Sequence, residues 1–118
     1  MNIEQFTEYC LSKPGTSDSF PFGGDTLVIK VGPKVFALCG LDALPFKVNL
    51  KCDPDWAVEL RERHEEIIPG YHMNKKHWNT VNMEGDLEIA LIKKMIDHSY
   101  NLVIQSLPKK EKEALGIT

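Results

Sequence analysis

A chain of 118 residues with 42% hydrophobic and 26% charged residues has a globular composition, which excludes a disordered, collagen-like or coiled-coil protein. The length predicts a single domain over residues 1–118. Its 14 Lys and Arg against 17 Asp and Glu give a net charge of -3, so the surface as a whole does not attract polyanions and any nucleic-acid site must be a local patch.

The first helix is marked by its N-terminal cap. Asn2 followed three residues later by Gln5 is typical of a capping box, and apolar residues at helical spacing predict a helix over residues 3–12. A Pro-Gly pair ends this helix, and residues 16–25, which are rich in glycine and proline, are predicted to form a loop. Two aromatic residues are expected to anchor the loop on the core: Phe20 and Phe22.

Three runs with strand character follow the loop, and they cover residues 26–31, 35–39 and 46–52. The first two flank a three-residue turn and predict a hairpin. The third run alternates apolar and polar residues at every step, which is typical of a strand with one face in water. This alternation predicts that Lys47, Asn49 and Lys51 share the exposed face.

The second half of the chain supplies the main helices. Asp53 before Pro54 is typical of a helix start and predicts a helix over residues 54–66. The remaining predicted elements are two short strands within residues 71–83, a long amphipathic helix over 87–107 and a short charged helix over 109–115. The order α-β-β-β-α-β-β-α predicts an α+β fold, a two-layer α/β sandwich whose helices cover one face of a mainly antiparallel, five-stranded sheet.

The segment of residues 69–80 is the densest cluster of binding-type side chains and contains no acidic residue. Its lysines suit phosphate contact, its asparagines can bond base edges, and its large rings offer stacking platforms for unpaired bases. The alternative is that its aromatic residues pack at the core edge and its lysines form an ordinary turn, and the pattern alone favours this alternative. The candidate nucleic-acid-binding residues are Lys47, Asn49, Lys51, Asn74, Lys75, Lys76, His77, Trp78 and Asn79.

No motif predicts an enzyme. His72 and His77 lie five residues apart, which suits neither a metalloprotease helix nor a zinc finger, so we expect no metal and no cofactor. Asp97, His98 and Ser99 are sequence neighbours within a predicted helix and therefore point in different directions. They are interpreted as helix surface and not as a catalytic triad.

The cysteines and the absence of a targeting pattern predict a cytoplasmic protein. None of the three cysteines has a CxxC spacing, so no disulfide framework or zinc ribbon is expected. Cys52 precedes a helix start, where a thiol can be activated, but its inward position in the alternating strand predicts a buried, inert thiol. The sequence shows no signal-peptide pattern and no apolar run near the roughly 20 residues of a membrane span, which predicts no membrane association.

Four runs carry a family resemblance: residues 10–15, the Asn-Leu-Lys-Cys-Asp-Pro run at 49–54, the long run at 69–81, and the pair Ser99-Tyr100. Together they span almost the whole chain, and they resemble the MmcQ/YjbR family of small bacterial proteins. The resemblance implies a two-layer α/β fold compared with secretion chaperones and CyaY-like proteins. It also implies a DNA-binding role through a double-wing arrangement, with no assigned enzymatic activity and no established binding residues.

The residues and the resemblance together predict a non-enzymatic protein that contacts DNA phosphates through the wet sheet face and the 71–80 hairpin. Whether the strand over residues 46–52 lies beside this hairpin decides whether the lysines form one patch. The alternative is a protein-interaction or small-ligand-binding module in which the exposed sheet face or a free strand edge binds its partner, and the net charge favours it. A third hypothesis, an enzyme, requires a pocket that holds His72 or His77 beside a carboxylate.

Overall fold

The computed structural model describes residues 1–42, 44–71 and 73–117 of the chain. Its helices are α1 Ile3–Leu11, α2 Pro54–Arg63, α3 Ile89–Ser106 and α4 Lys109–Ala114. Its strands are β1 Thr16–Ser19, β2 Thr26–Val31, β3 Lys34–Gly40, β4 Lys47–Lys51, β5 Ile67–Pro69 and β6 Trp78–Asn82. The predicted caps begin the first two helices: Asn2 and Gln5 form the capping box of α1, and Asp53 accepts the N–H of Trp56 at 3.2 Å in α2.

The strands form an antiparallel sheet in the order β1-β2-β3-β4-β6-β5, so the α+β prediction is confirmed. The sheet has six strands instead of the predicted five, because β1 lies in the segment expected to be a loop. Its four residues are polar and show no apolar alternation, and backbone pairing to β2 holds them at the sheet edge. Farther along the same segment, Phe22 is 77% exposed, so it is not the expected core anchor.

The hairpin predicted within residues 71–83 begins earlier in the chain. Its first strand, β5, ends at Pro69, which an edge strand tolerates because the missing N–H is not needed in the ladder. The N–H of Gly70 donates to the carbonyl of Trp78 at 2.8 Å. A Cβ on Gly70 would lie 2.8 Å from the Cβ of Trp78, so only glycine allows this close approach. The observed order is therefore α-β-β-β-β-α-β-β-α-α.

Helices α1, α2 and α3 pack on one face of the sheet and enclose the core. Helix α3 lies across β2, β3 and β4, while α2 contacts β5 and α1 contacts β1. Aromatic pairs join the two layers: Phe6 meets Phe46 edge-on at 5.9 Å between ring centroids, and Phe36 meets Tyr100 at 5.5 Å. No helix of the described residues covers the opposite face of the sheet.

A β-bulge in β3 interrupts the pairing of the central strands. The register shifts after Ile29, which leaves Phe36 without a partner on β2. The buried hydroxyl of Ser99 in α3 bridges the point where the β3–β4 pairing ends: it accepts the N–H of Lys51 at 2.9 Å and donates to the carbonyl of Phe36 at 2.5 Å. A helix side chain thus completes the backbone hydrogen bonding and fixes the end of β4.

Candidate nucleic-acid interface

The open face is the side of the sheet opposite the helices, and strand alternation determines which residues lie on it. Along the strands it consists of Ser17, Ser19, Thr26, Val28, Lys30, Val35, Leu38, Gly40, Lys47, Asn49, Lys51, Ile68, Trp78, Thr80 and Asn82. These positions include three lysines and no Asp or Glu. Because acidic residues outnumber basic ones 17 to 14 in the chain, the positive charge is a local property of this face.

One end of the open face is basic. Lys51 in β4 lies beside Trp78 in β6, and Lys30 in β2 pairs with Val35 at the same end of the sheet. Neither Lys30 nor Lys51 forms an ion pair with any described residue. Sequence reasoning missed Lys30, although its signal was present: it is the only charged residue in the apolar run of β2.

The loop between β5 and β6 brings two further lysines to this end. The carbonyl of His77 accepts the N–H of Cys52 at 2.8 Å, which extends the β4–β6 ladder one residue beyond Lys51. Lys75 and Lys76 are exposed in the same loop. The strand and the loop therefore lie side by side, as a single patch requires. We call these four residues the basic cluster: Lys30, Lys51, Lys75 and Lys76.

Asn74 shapes this loop. Its Oδ1 accepts the N–H of Lys76 at 2.9 Å, and its carbonyl accepts the N–H of Trp78, also at 2.9 Å. The turn thus uses the amide oxygen and leaves the Nδ2 donors for a ligand. His77 is partly buried, and His72 lies outside the described residues.

The two asparagines of the paired strands face opposite sides of the sheet. Asn49 lies on the open face, where its Oδ1 accepts the hydroxyl of Thr80 at 2.5 Å. Asn79 is 2% exposed on the helix side, where its Oδ1 accepts the guanidinium of Arg61 at 2.8 Å and its Nδ2 donates to the carbonyl of Ala57. Asn79 is therefore not a candidate contact on the open face. Side chains alternate along β6, so Trp78 and Thr80 lie on that face and Asn79 lies on the other.

Lys47 lies on the open face as predicted, but apart from the basic cluster. It is four positions before Lys51 along β4, which corresponds to about 13 Å in an extended strand. A cleft of about 80 Å³ beside it is lined by Glu65 and Glu66. Because carboxylates that share a cleft with an ammonium group reduce the local positive potential, Lys47 is a weaker candidate for phosphate contact than the basic cluster.

A pocket of about 390 Å³ opens between the two ends of the open face, and we name it the sheet pocket. Its lining residues are Gly40, Lys47, Asn49, Ile68, Tyr71 and Thr80. Tyr71 is 65% exposed, so the alternative that it packs at the core edge does not hold, whereas Trp78 is half-buried. The N–H of Tyr71 donates to the Thr80 hydroxyl at 2.9 Å, which ties the wall of the pocket to its floor.

The thiols are remote from this face. Cys10, Cys39 and Cys52 are all buried in the core and form no disulfide. Burial raises the pKa of the Cys10 and Cys52 thiols to about 12 and that of Cys39 to about 11. The expectation that Cys52 is buried is confirmed, and the raised pKa agrees with an inert thiol despite the nearby helix start.

The run Asp97-His98-Ser99 is not a triad, because its members serve three separate contacts. Ser99 is fully buried at the bulge, which corrects its interpretation as helix surface. His98 Nε2 accepts the N–H of Asp53 at 3.0 Å, and Asp97 accepts the hydroxyl of Tyr9 at 2.7 Å. Across residues 1–42, 44–71 and 73–117, no group of three or more His, Cys, Asp or Glu side chains is placed to hold a metal ion.

The helices of the described residues include none with the length and apolar character needed to cross a membrane. The fold and the site define an α+β protein with helices on one face of a six-stranded antiparallel sheet and lysines of β2 and β4 on the other. The chain belongs to the YjbR family, whose model matches residues 11–102, and the resemblance seen in the sequence is thereby confirmed.

Relatives from bacteria match most of the chain. It is 33% identical over 115 residues to YjbR, an uncharacterized protein of Escherichia coli (strain K12), and the match covers 98% of each chain. It is 38% identical over 104 residues to YbdF, an uncharacterized protein of Escherichia coli O157:H7, over 87% of this chain and 84% of that one.

The same fold occurs in solved structures. The Deinococcus radiodurans protein DR2400 superimposes with a TM-score of 0.92 at 36% identity, over 99% of this chain and 89% of that one. A Pseudomonas syringae protein superimposes with a TM-score of 0.75 at 31% identity, over 86% of this chain and 98% of that one. These proteins share the overall fold of the chain.

Proposed function

We propose that this chain binds DNA through the basic cluster and the adjoining open face, and that it catalyses no reaction. The observation that carries the proposal is the sign of the local charge: three lysines and no carboxylate at the strand positions of the open face, in a chain of net charge -3. Lysines that neutralise phosphates release counterions, which gives affinity without sequence information. We therefore expect salt-sensitive binding at a local patch.

The lysines of the basic cluster are available to a polyanion. None of the four forms an ion pair with a described residue, and Lys75 Nζ donates to the backbone carbonyl of Gly70 at 3.3 Å. Trp78 is the cross-strand partner of Lys51, and Asn49 is two residues before Lys51 on the same face of β4. Aromatic and amide groups beside lysines are the usual companions of phosphate contacts in nucleic-acid sites.

The proposal of a non-enzymatic protein is supported by what the reactive groups do. The three thiols are buried and protonated at neutral pH, so they are poor nucleophiles. The side chain of His77 forms no hydrogen bond or ion pair with a described carboxylate, and His98 is engaged with the backbone. Free thiols also suit a reducing compartment, so we place the protein in the cytoplasm as part of the proposal.

Fluorescence anisotropy of a labelled DNA duplex, titrated with protein from low to physiological salt, tests the proposal. The slope of log K against log salt is expected to be about -0.9 per phosphate contact. Lys51→Ala should flatten this slope by about 0.9, and the double variant Lys75→Ala/Lys76→Ala by up to about 1.8. Lys110→Ala removes the same charge from an exposed position in α4 and should leave the slope unchanged.

The controls separate a lost contact from a lost fold. The substituted lysines are solvent-exposed or half-buried, so each variant is expected to keep the circular dichroism spectrum of the wild type. Lys47→Ala should flatten the slope less than Lys51→Ala, because Glu65 and Glu66 line the cleft beside it. Affinity that is independent of salt, or cluster variants with the wild-type slope, would refute the proposal.

Exposed apolar side chains favour a second candidate function, docking of a protein partner. The N–H of Leu41 donates to the carbonyl of Asp25 at 2.7 Å, which joins the loops after β1 and β3. These loops expose Phe20, Phe22 and Leu44 to solvent. A folded protein that binds no DNA, together with a partner retained by the wild type but released by Phe22→Ala, would favour this candidate.

A further inference from the structure

We infer that the sheet pocket binds one unpaired nucleobase, so that the chain prefers single-stranded to duplex DNA. This inference rests on the proposed function and specifies the form of DNA that the open face takes. The pocket has a volume of about 390 Å³, within the range of small-ligand sites, and opens on the same face of the sheet as Lys30 and Lys51. Its lining combines the three kinds of group that hold an extruded base: a flat ring, an amide and a cation.

The floor of the sheet pocket is polar and internally ordered. The hydroxyl of Thr80 donates to Asn49 Oδ1 at 2.5 Å and accepts the N–H of Tyr71 at 2.9 Å. Thr80 is buried and Asn49 half-buried, so these bonds fix the amide with its oxygen toward the hydroxyl. The Nδ2 donors of Asn49 have no partner among the described residues and can serve the acceptors on a base edge.

The walls of the sheet pocket suit a flat aromatic ligand. Tyr71 is 65% exposed and Ile68 is 43% exposed, and both residues line the pocket. A base inserted between an aromatic and an aliphatic side chain gains stacking and buries both of its faces. The ligand chemistry of the pocket is therefore that of a planar, hydrogen-bonding heterocycle.

The lysines of β4 place phosphates on both sides of such a base. Asn49 lies two residues from Lys47 and two from Lys51, which corresponds to about 7 Å in each direction along the strand. All three side chains lie on the open face. A base bound at Asn49 would thus be flanked by phosphates within reach of a lysine on either side, as in a strand lying along β4.

Duplex DNA cannot use the sheet pocket without local opening. The faces of its bases are stacked and their pairing edges are occupied, so only groove edges are accessible. Extruding a base costs stacking and pairing energy that a single strand does not lose. The pocket therefore adds affinity for single strands, while the basic cluster serves both forms.

The test compares three labelled probes by fluorescence anisotropy: a short oligothymidine, an abasic chain of the same length, and a duplex. The abasic chain keeps every phosphate and lacks every base, so it reports the phosphate contacts alone. The wild type is expected to bind the oligothymidine at least about fivefold more tightly than the abasic chain, and more tightly than the duplex. Tyr71→Leu should abolish the difference between the two single strands, and Tyr71→Phe should retain it, because stacking requires the ring and not the hydroxyl.

The outcomes distinguish base binding in the sheet pocket from phosphate binding by the lysines. Phe22→Leu also removes an exposed aromatic ring, but Phe22 does not line the sheet pocket, so this variant should leave the difference intact. Equal affinity for the oligothymidine and the abasic chain overturns the pocket inference, while a lysine-dependent salt slope would leave the proposed function standing. Loss of the difference in Tyr71→Phe also overturns it. Absence of binding to all three probes removes both.

Discussion

Replacing Ser99 by alanine is expected to destabilise the fold far more than the loss of one hydroxyl suggests. The hydroxyl satisfies two backbone groups at the bulge, the carbonyl of Phe36 and the N–H of Lys51. The carbonyl is buried and the N–H partly so, and no strand neighbour replaces the hydroxyl there. Because each buried group left without a partner costs about 1–3 kcal/mol, we expect a loss of about 2–4 kcal/mol in the free energy of unfolding.

Urea unfolding followed by circular dichroism measures this loss. For a small protein the slope of the free energy against urea is about 1–3 kcal/mol per molar, so at a slope of about 2 the midpoint should fall by about 1–2 M. Ser106→Ala provides the matched control, because Ser106 lies in the same helix and is exposed. Its midpoint should correspond to a change within about 0.5 kcal/mol.

A small effect would refute the reasoning about the bulge. If Ser99→Ala lost less than about 1 kcal/mol with an unchanged slope, the carbonyl of Phe36 and the N–H of Lys51 would have to find other partners. A loss confined to the slope would instead indicate a change in the compactness of the unfolded or native state. The loss of hydrogen bonds to two backbone groups predicts a lower urea midpoint with an unchanged slope of the free energy against urea.

Three further predictions concern the core, the pH response and a partly buried tyrosine. Phe36→Ala should lower the free energy of unfolding by about 3–5 kcal/mol, and the same change at the exposed Phe22 should lower it by less than about 0.5 kcal/mol, as measured by urea midpoints. Burial lowers the pKa of His98 in the folded state below its ordinary value of 6.5. At a pH between the two pKa values, the unfolded state therefore binds more protons than the folded state. The stability that His98 contributes should therefore be complete above the ordinary pKa and fall as the pH drops through its lower folded pKa, and His98→Gln should flatten this part of the urea-midpoint profile. Burial, and next Asp97, raise the pKa of Tyr9 to about 12, so Asp97→Asn should lower that pKa while leaving it above 10 in a tyrosinate absorbance titration.

Strand β4 could be predicted from the sequence because its pattern is local. Apolar and polar residues alternate at each of its steps, which places Lys47, Asn49 and Lys51 on one face whatever the neighbouring strands are. The capping box of α1 and the proline start of α2 are equally local, since each hydrogen bond joins residues three apart. The predictions that depended on these patterns agree with the structure.

The edge strands and the sheet pocket could not be predicted in this way. Strand β1 is short and polar and is held by pairing with β2, and β5 is a three-residue strand that ends in proline. Their stability comes from neighbours distant in the sequence, so no local pattern marks them. The pocket likewise combines residues of β3, β4, β5, β6 and a loop. The side of the sheet on which Asn79 lies depends on where β6 begins, and the structure places this start at Trp78.

The net negative charge of the chain does not oppose a polyanion on the open face at physiological salt. Many carboxylates lie on the helices of the opposite layer, including Glu4, Glu8, Asp55, Glu59 and Glu62. The shortest dimension of the molecule is 25 Å, whereas electrostatic interactions in water are screened over about 8 Å at physiological ionic strength. A phosphate on the open face therefore responds to the lysines near it and not to the acids behind the sheet. At about 0.01 M salt the screening length reaches about 30 Å and exceeds that dimension, so repulsion from the helix layer should then reduce the gain in affinity expected from lowering the salt further.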